Sequence, residues 1–70
     1  MTDRQRILEK PTWTALDVSV LLGQSVPTVR RAMDDGVLPS VRLGRWRKMT
    51  RTDVEQYVGI ERAKDLLRAD

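Results

Sequence analysis

Arg30, Arg31, Arg42, Arg45, Arg47 and Lys48 are the residues whose types and spacing suggest chemistry, and that chemistry is recognition of a polyanion. Together with Arg51 they supply seven of the 13 lysines and arginines, and between Val26 and Arg51 they meet only Asp34 and Asp35. That window carries +5, whereas residues 1–25 sum to zero and residues 52–70 to −2. A guanidinium is a planar fork of donors that pairs with phosphate oxygens or with O6 and N7 of guanine, while an ammonium acts as a point charge on phosphate. Ser25, Pro27 and Thr28 lie just before the first arginine pair, and Thr28 is the right size to touch a thymine methyl or a phosphate.

The rest of the composition excludes more than it suggests. Without Cys or His the chain has no zinc, haem or thiol chemistry and none of the usual nucleophile–base pairs, so neither a cofactor nor an enzymatic activity is expected. A cysteine-free chain suits a reducing cytosol, and a cytoplasmic, DNA-associated location is the expectation. The longest apolar run, Val20-Leu21-Leu22, is three residues, so no membrane span is expected, and the N-terminus lacks a signal-peptide core. Seventy residues allow one domain with one small core.

Elements able to hold the cations are legible in the apolar spacing. Residues 1–11 read as a lead-in, with Ile7 and Leu8 as an apolar knob on a helical turn from Arg4 to Glu9. Lys10-Pro11 ends that turn, and a partly frayed arm is expected. The first firm helix opens at Thr14, whose capping box is completed by Asp17. Trp13 and Val18 have hydrophobic-staple spacing, Leu21 and Leu22 extend the stripe, and Gly23 stops it. Trp13, beside a cap, is expected in the core and not as a stacking platform for bases.

A second helix follows after two residues, capped by Ser25 and carrying Pro27 in its first turn. Val29, Ala32 and Met33 face inward. Thr28 and Arg31 share the outer face with Pro27, and Arg30 flanks it. Two helices joined by a short glycine-containing turn have helix-turn-helix spacing. Asp35-Gly36 closes the second helix and Leu38 plugs the core. Val41, Leu43 and Met49 flank a hairpin turn at Gly44, surrounded by Arg42, Arg45, Arg47 and Lys48. A last helix is capped by Thr50 or Thr52, with Thr52 and Glu55 forming the better box. Val54, Tyr57 and Val58 face inward there. After Gly59 the stripe continues through Ile60, Ala63, Leu66 and Leu67, in a tail that either folds back or presents Leu66 and Leu67 to a partner. The fold class is mainly α with a small two-stranded β-hairpin: a domain over 12–58, a lead-in over 1–11 and an amphipathic tail over 59–70.

The residues Trp13-Thr14, Leu21-Leu22-Gly23-Gln24-Ser25, Thr28-Val29-Arg30-Arg31, Asp35-Gly36-Val37-Leu38-Pro39, Val41-Arg42-Leu43-Gly44-Arg45 and Thr52-Asp53-Val54-Glu55-Gln56-Tyr57 follow one another with few gaps. In this order they resemble the excisionase-type, MerR-like winged helix-turn-helix domains of phage and bacterial regulators. The likeness spans residues 13–58. It implies a DNA-binding protein. Stand-alone members of about this length are often recombination directionality factors, which bind repeated sites near a phage attachment site, bend the DNA and steer a tyrosine integrase toward excision. Others are small transcriptional regulators of prophage genes. An interaction module docking an integrase through the C-terminal tail is a further alternative.

On this reading the helix from Val26 to Asp34 enters the major groove with Thr28, Arg30 and Arg31 toward the bases, and Ser25 and Val26 offer backbone amides to phosphate. The wing, with Arg42, Arg45 and Arg47, reaches the adjacent minor groove or backbone, and Lys48 contacts phosphate. Asp34 and Asp35 end the helix or pair with Arg30 and Arg31. One module has a small footprint, so double-stranded DNA would be held by cooperative self-association or with help from a bound partner. The sequence departs from the family at two places. Val18-Ser19 replaces a small-residue pair in the first helix. Trp46 precedes the position where wings commonly place a core-facing aromatic, and Arg47 occupies that position. Packing of Trp46 on the core is the expectation; the alternative is a place at the wing tip, wedged into a minor groove.

Overall fold

The computed structural model of the chain describes residues 3–68. Five helices and one hairpin run in the order α1 (Asp3–Leu8), α2 (Ala15–Leu22), α3 (Val26–Asp34), β1 (Val41–Leu43), β2 (Trp46–Lys48), α4 (Arg51–Val58) and α5 (Ile60–Leu66). This is a mainly helical, winged helix-turn-helix architecture, as the spacing and the resemblance predict.

The frame is built on one short backbone bridge. Trp13 and Met49 exchange both of their backbone hydrogen bonds, at 2.7 and 2.8 Å, which pairs the chain before α2 with the residue just after β2. The residue after each partner is a threonine that caps a helix. Thr14 takes the Asp17 amide and Asp17 returns a bond to the Thr14 amide, which opens α2. Thr50 and Asp53 do the same for α4. The expected Thr52–Glu55 box is therefore corrected to Thr50–Asp53. Thr50 leaves the bridge in an extended conformation (φ −99°, ψ 169°), the geometry a cap requires, while Thr52 already lies within the helix. Each box is followed by a fully buried valine, Val18 and Val54.

Val18, Leu21, Val29, Ala32, Met33, Leu38, Met49 and Val54 fill the centre, with Trp13 among them. Gly23 ends α2 in the left-handed conformation, and Ser25 caps α3 two residues later, as expected. Leu38 is fully buried, so the strand pair of the wing is anchored by Leu38 before it and Met49 after it.

The N-terminal end of the chain differs from expectation. Residues 3–8 are not a frayed arm but a helix, packed on α2 and with Ile7 in the core. The buried Trp13 indole N–H needs an acceptor, and it finds the Ile7 carbonyl at 2.6 Å. Arg4 donates to the Leu21 carbonyl at 3.1 Å and also to the Leu66 carbonyl. Both acceptors lie at helix C-termini, where carbonyls lack intrahelical partners and a cation is favoured. At the other end, Gly59 does more than weaken the last helix. Its φ of 92° and ψ of 146° break it into α4 and α5. The break resets the helical phase, so that Ala63 and Leu67 are buried while Ile60 is 67% exposed. The tail thus folds back, and the Leu67 carbonyl accepts from Arg51 at 3.1 Å. Leu67 is not offered to a partner.

Candidate nucleic-acid interface

The buried stripe of α3 (Val29, Ala32, Met33) fixes which side chains point outward. Pro27, Thr28, Arg30 and Arg31 are all exposed, and so is Ser25 at the cap. The Ser25 hydroxyl accepts from the Thr28 amide at 3.3 Å and lies 2.7 Å from the Thr28 hydroxyl. This pair leaves the Thr28 methyl and part of the hydrogen-bonding capacity of its hydroxyl for a ligand. It also uses the Thr28 amide, and Pro27 has none to offer, so few free donors remain at the start of α3.

The wing is a two-residue hairpin with Val41 opposite Lys48, Arg42 opposite Arg47 and Leu43 opposite Trp46. Gly44 has φ 64° and no other residue of the turn is positive, the pattern of a type II′ turn whose twist suits a hairpin. Successive strand residues point to opposite faces, so Arg42 and Arg47 share one face while Val41, Leu43 and Trp46 share the other with Lys48. Arg42, Arg45 and Arg47 are exposed and Lys48 is half-buried.

Like charges directly opposite each other oppose strand pairing. Relief comes from α3, where Asp34 accepts from Arg47 at 2.7 Å. The bond ties the wing to the second helix of the helix-turn-helix. Asp34 was expected to end the helix or to pair with Arg30 or Arg31; it is the last residue of α3, and its cation is Arg47, brought to it across 13 residues of sequence.

Between α3, the start of α2 and the edge of β2 lies an open cleft of about 560 Å³. Arg30 and Asp34 line it from α3, Arg45, Trp46 and Arg47 from the wing, and Leu16 from α2. The cleft therefore gathers Arg30, Arg45 and Arg47 from the basic set. Arg31, Thr28 and Ser25 stay on the outer surface of α3, and Arg42 and Lys48 stay on the hairpin.

Trp46 departs from the packing expected of it: it is 63% exposed. The two-residue turn puts Trp46 in register with Leu43 beside the tip, where both are more than half exposed. Leu16 and the Asp34–Arg47 tie also belong to the site and carry no local sequence signal, since both are brought there by contacts between separate elements.

The model of a helix-turn-helix domain matches residues 14–59, more than half of the sequence. The chain belongs to the helix-turn-helix domain family. That family contains excisionase-like DNA-binding proteins, and duplex DNA is the partner it supports for this domain. Helix-turn-helix domains of this kind are typically not enzymes. No curated protein matches this helix-turn-helix chain, and no solved structure does. Among the described residues no helix is long and apolar enough to cross a membrane, and no acidic, His or Cys cluster could hold a metal ion.

Proposed function

We propose that the domain binds duplex DNA sequence-specifically, with α3 in the major groove and the wing on the adjacent minor groove, and that its biological role is to direct a recombinase toward excision. The observation that carries the DNA geometry is the shared cleft. Arg30 of α3 and Arg45 and Arg47 of the wing open onto one concavity, so a phosphate strand lying between the two grooves meets cations from both elements. The longest dimension of the molecule, 31 Å, is less than one turn of B-DNA, so helix and wing fall within a single turn.

Within that arrangement Arg31 and Thr28 read base edges, while Ser25 and Pro27 sit against the backbone at the start of α3. Arg30, Arg42, Arg45, Arg47 and Lys48 hold phosphates or the minor-groove edge. So small a footprint gives weak binding by a single copy, and occupancy comes from adjacent copies on repeated sites or from a partner already on the DNA. The excision role rests on the resemblance of residues 13–58, with a tyrosine integrase as the partner; control of prophage transcription is the other role that this resemblance supports.

The test separates reading from holding. Duplexes are selected from a random pool with the full chain, and binding is titrated against salt. Log K falls linearly with log salt, by about 0.9 per phosphate neutralised, with roughly three to five phosphates per copy. Arg31→Ala costs about 1–3 kcal/mol on the selected duplex and relaxes one position of the site. Lys48→Ala weakens selected and random duplexes alike. Binding indifferent to salt would falsify the DNA reading. Equal losses on both duplexes for Arg31→Ala would reduce Arg31 to a phosphate clamp. The role is tested by adding the domain to integrase and attachment-site DNA. An unchanged ratio of excised to integrated product favours transcriptional control.

A further inference from the structure

Trp46 is the feature that phosphate binding leaves unexplained. The chain has two tryptophans; one is only 2% exposed and the other stands 63% exposed beside the wing's turn. Leu43 faces it across the hairpin and Val41 follows on the same side, both more than half exposed. A small domain that packs Trp13, Leu38 and Met49 so completely leaves three large apolar side chains in water on one face of its hairpin.

We propose that Trp46, backed by Leu43, is an apolar wedge that enters the minor groove and unstacks a base step, so that the wing deforms DNA as well as holding its phosphates. The inference rests on the DNA-binding reading above and deepens it at the wing. Charge selects the partner. There is no Asp or Glu between Asp35 and Asp53, and Arg42, Arg45, Arg47 and Lys48 surround the apolar strip. An apolar side chain ringed by cations matches a base stack bordered by phosphates, because each part of the surface then meets its complement.

Position agrees with charge. Leu43 and Trp46 flank the two-residue turn, so they are the last side chains before the tip. Trp46 also lines the cleft shared with Arg30. With α3 in the major groove and one phosphate strand through that cleft, the next feature the tip meets is the minor groove. The hairpin is stiff enough to push. Its base is fixed by the Trp13–Met49 bridge and by the buried Leu38 and Met49 on either side of it. Unstacking a base step takes work that a loose loop would not transmit, and a wide aromatic face restores part of the lost stacking.

The experiment uses the full chain, a duplex selected from a random pool by the parent protein, and 2-aminopurine placed at successive positions of that duplex. Parent binding is expected to brighten one or two adjacent positions, as an unstacked base does, and to quench the exposed Trp46 emission while leaving that of Trp13. Trp46→Ala is expected to abolish the brightening and to lower affinity about tenfold or more, with the salt slope unchanged because no phosphate contact is lost. Trp46→Phe is expected to retain part of both signals. If 2-aminopurine stays dark at every position under saturating parent protein, or Trp46→Ala binds as the parent does, the wedge is overturned while DNA binding stands. If the parent binds no duplex, the DNA reading itself fails and the wedge with it. A fall in sedimentation mass of the free protein on Trp46→Ala would make the strip a contact between copies, and would also overturn the wedge.

Discussion

Trp13 and Trp46 mark the two ends of β2, the first bridged to Met49 just after it and the second beginning it, yet they meet opposite surroundings. Trp13 is 2% exposed, bonded through its indole to Ile7 and through its backbone to Met49. Trp46 is 63% exposed and stands among arginines. The difference separates the wing into a base and a tip. The base belongs to the core, because Leu38 and Met49 close the molecule beneath it. The tip contributes almost nothing to that core, which leaves its charge and its apolar face free for a ligand. On the proposed reading, the contacts with DNA fall where packing makes no demand.

The sharpest way to break this comparison is to remove each ring in turn. Trp13→Ala deletes a buried ring and orphans the Ile7–indole bond, a loss of about 3–5 kcal/mol. A core of this size supplies only about that much, so the variant should be largely unfolded at 25 °C by far-ultraviolet circular dichroism. Trp46→Ala should keep the parent's stability within about 0.5 kcal/mol. The same ruler applies to the C-terminal segment. Leu67 is as buried as Trp13, so Leu67→Ala should cost about 2 kcal/mol or more, whereas Ile60→Ala should cost little. Equal midpoints for Leu67→Ala and Ile60→Ala would mean that α5 is not held in the fold.

A smaller effect sharpens the account of the base. The two helices that leave the Trp13–Met49 bridge are capped in the same way, and only the threonine next to the bridge does the capping. Thr50→Ala should therefore lower stability by about 1 kcal/mol, and Thr52→Ala by at most a few tenths. Thermal melts of the two variants decide between the caps, since a larger loss at Thr52 would restore the Thr52–Glu55 box.

Most of this frame was legible in the sequence, and what escaped has a common cause. The first capping box, the glycine stop, the Ser25 cap, the inward face of α3 and the Leu38 plug all follow from neighbours within four residues, where local geometry is decisive. The Thr50 cap was legible too. Trp13-Thr14-Ala15-Leu16-Asp17-Val18 and Met49-Thr50-Arg51-Thr52-Asp53-Val54 repeat one pattern, an apolar residue, a threonine, and an Asp-Val three residues on. A two-residue turn at Gly44-Arg45 would likewise have put Trp46 beside Leu43. By contrast, the Trp13–Ile7 bond, the Arg4 clamp on two helix ends and the Asp34–Arg47 tie join separate elements, and no spacing rule relates such pairs. The frayed-arm expectation failed for that reason. The acceptors that hold α1 come from α2 and α5, far along the chain.

The Asp34–Arg47 pair gives the smallest expected effect on stability and the finest test of the division between base and tip. Its side chains are 61% and 42% exposed, and pairs so accessible contribute about 0–1 kcal/mol, because water screens them and ordering two side chains costs entropy. Asp34→Asn should thus leave the thermal midpoint nearly where it is. Its effect should appear on DNA instead. In the free protein Arg47 is bonded to Asp34, and a phosphate in the cleft has to compete with that carboxylate. Removing the negative charge should raise affinity for every duplex several-fold, and the salt slope should steepen by up to about 0.9 as Arg47 neutralises a phosphate fully. Arg47→Ala should do the reverse, and the two changes together should bind like Arg47→Ala alone. If Asp34→Asn instead weakens binding while stability holds, Asp34 is a positioning residue that aims the wing, and its tie to Arg47 persists on DNA. A lowered midpoint with unchanged binding would assign the pair to the frame and move the boundary between base and tip outward past Arg47.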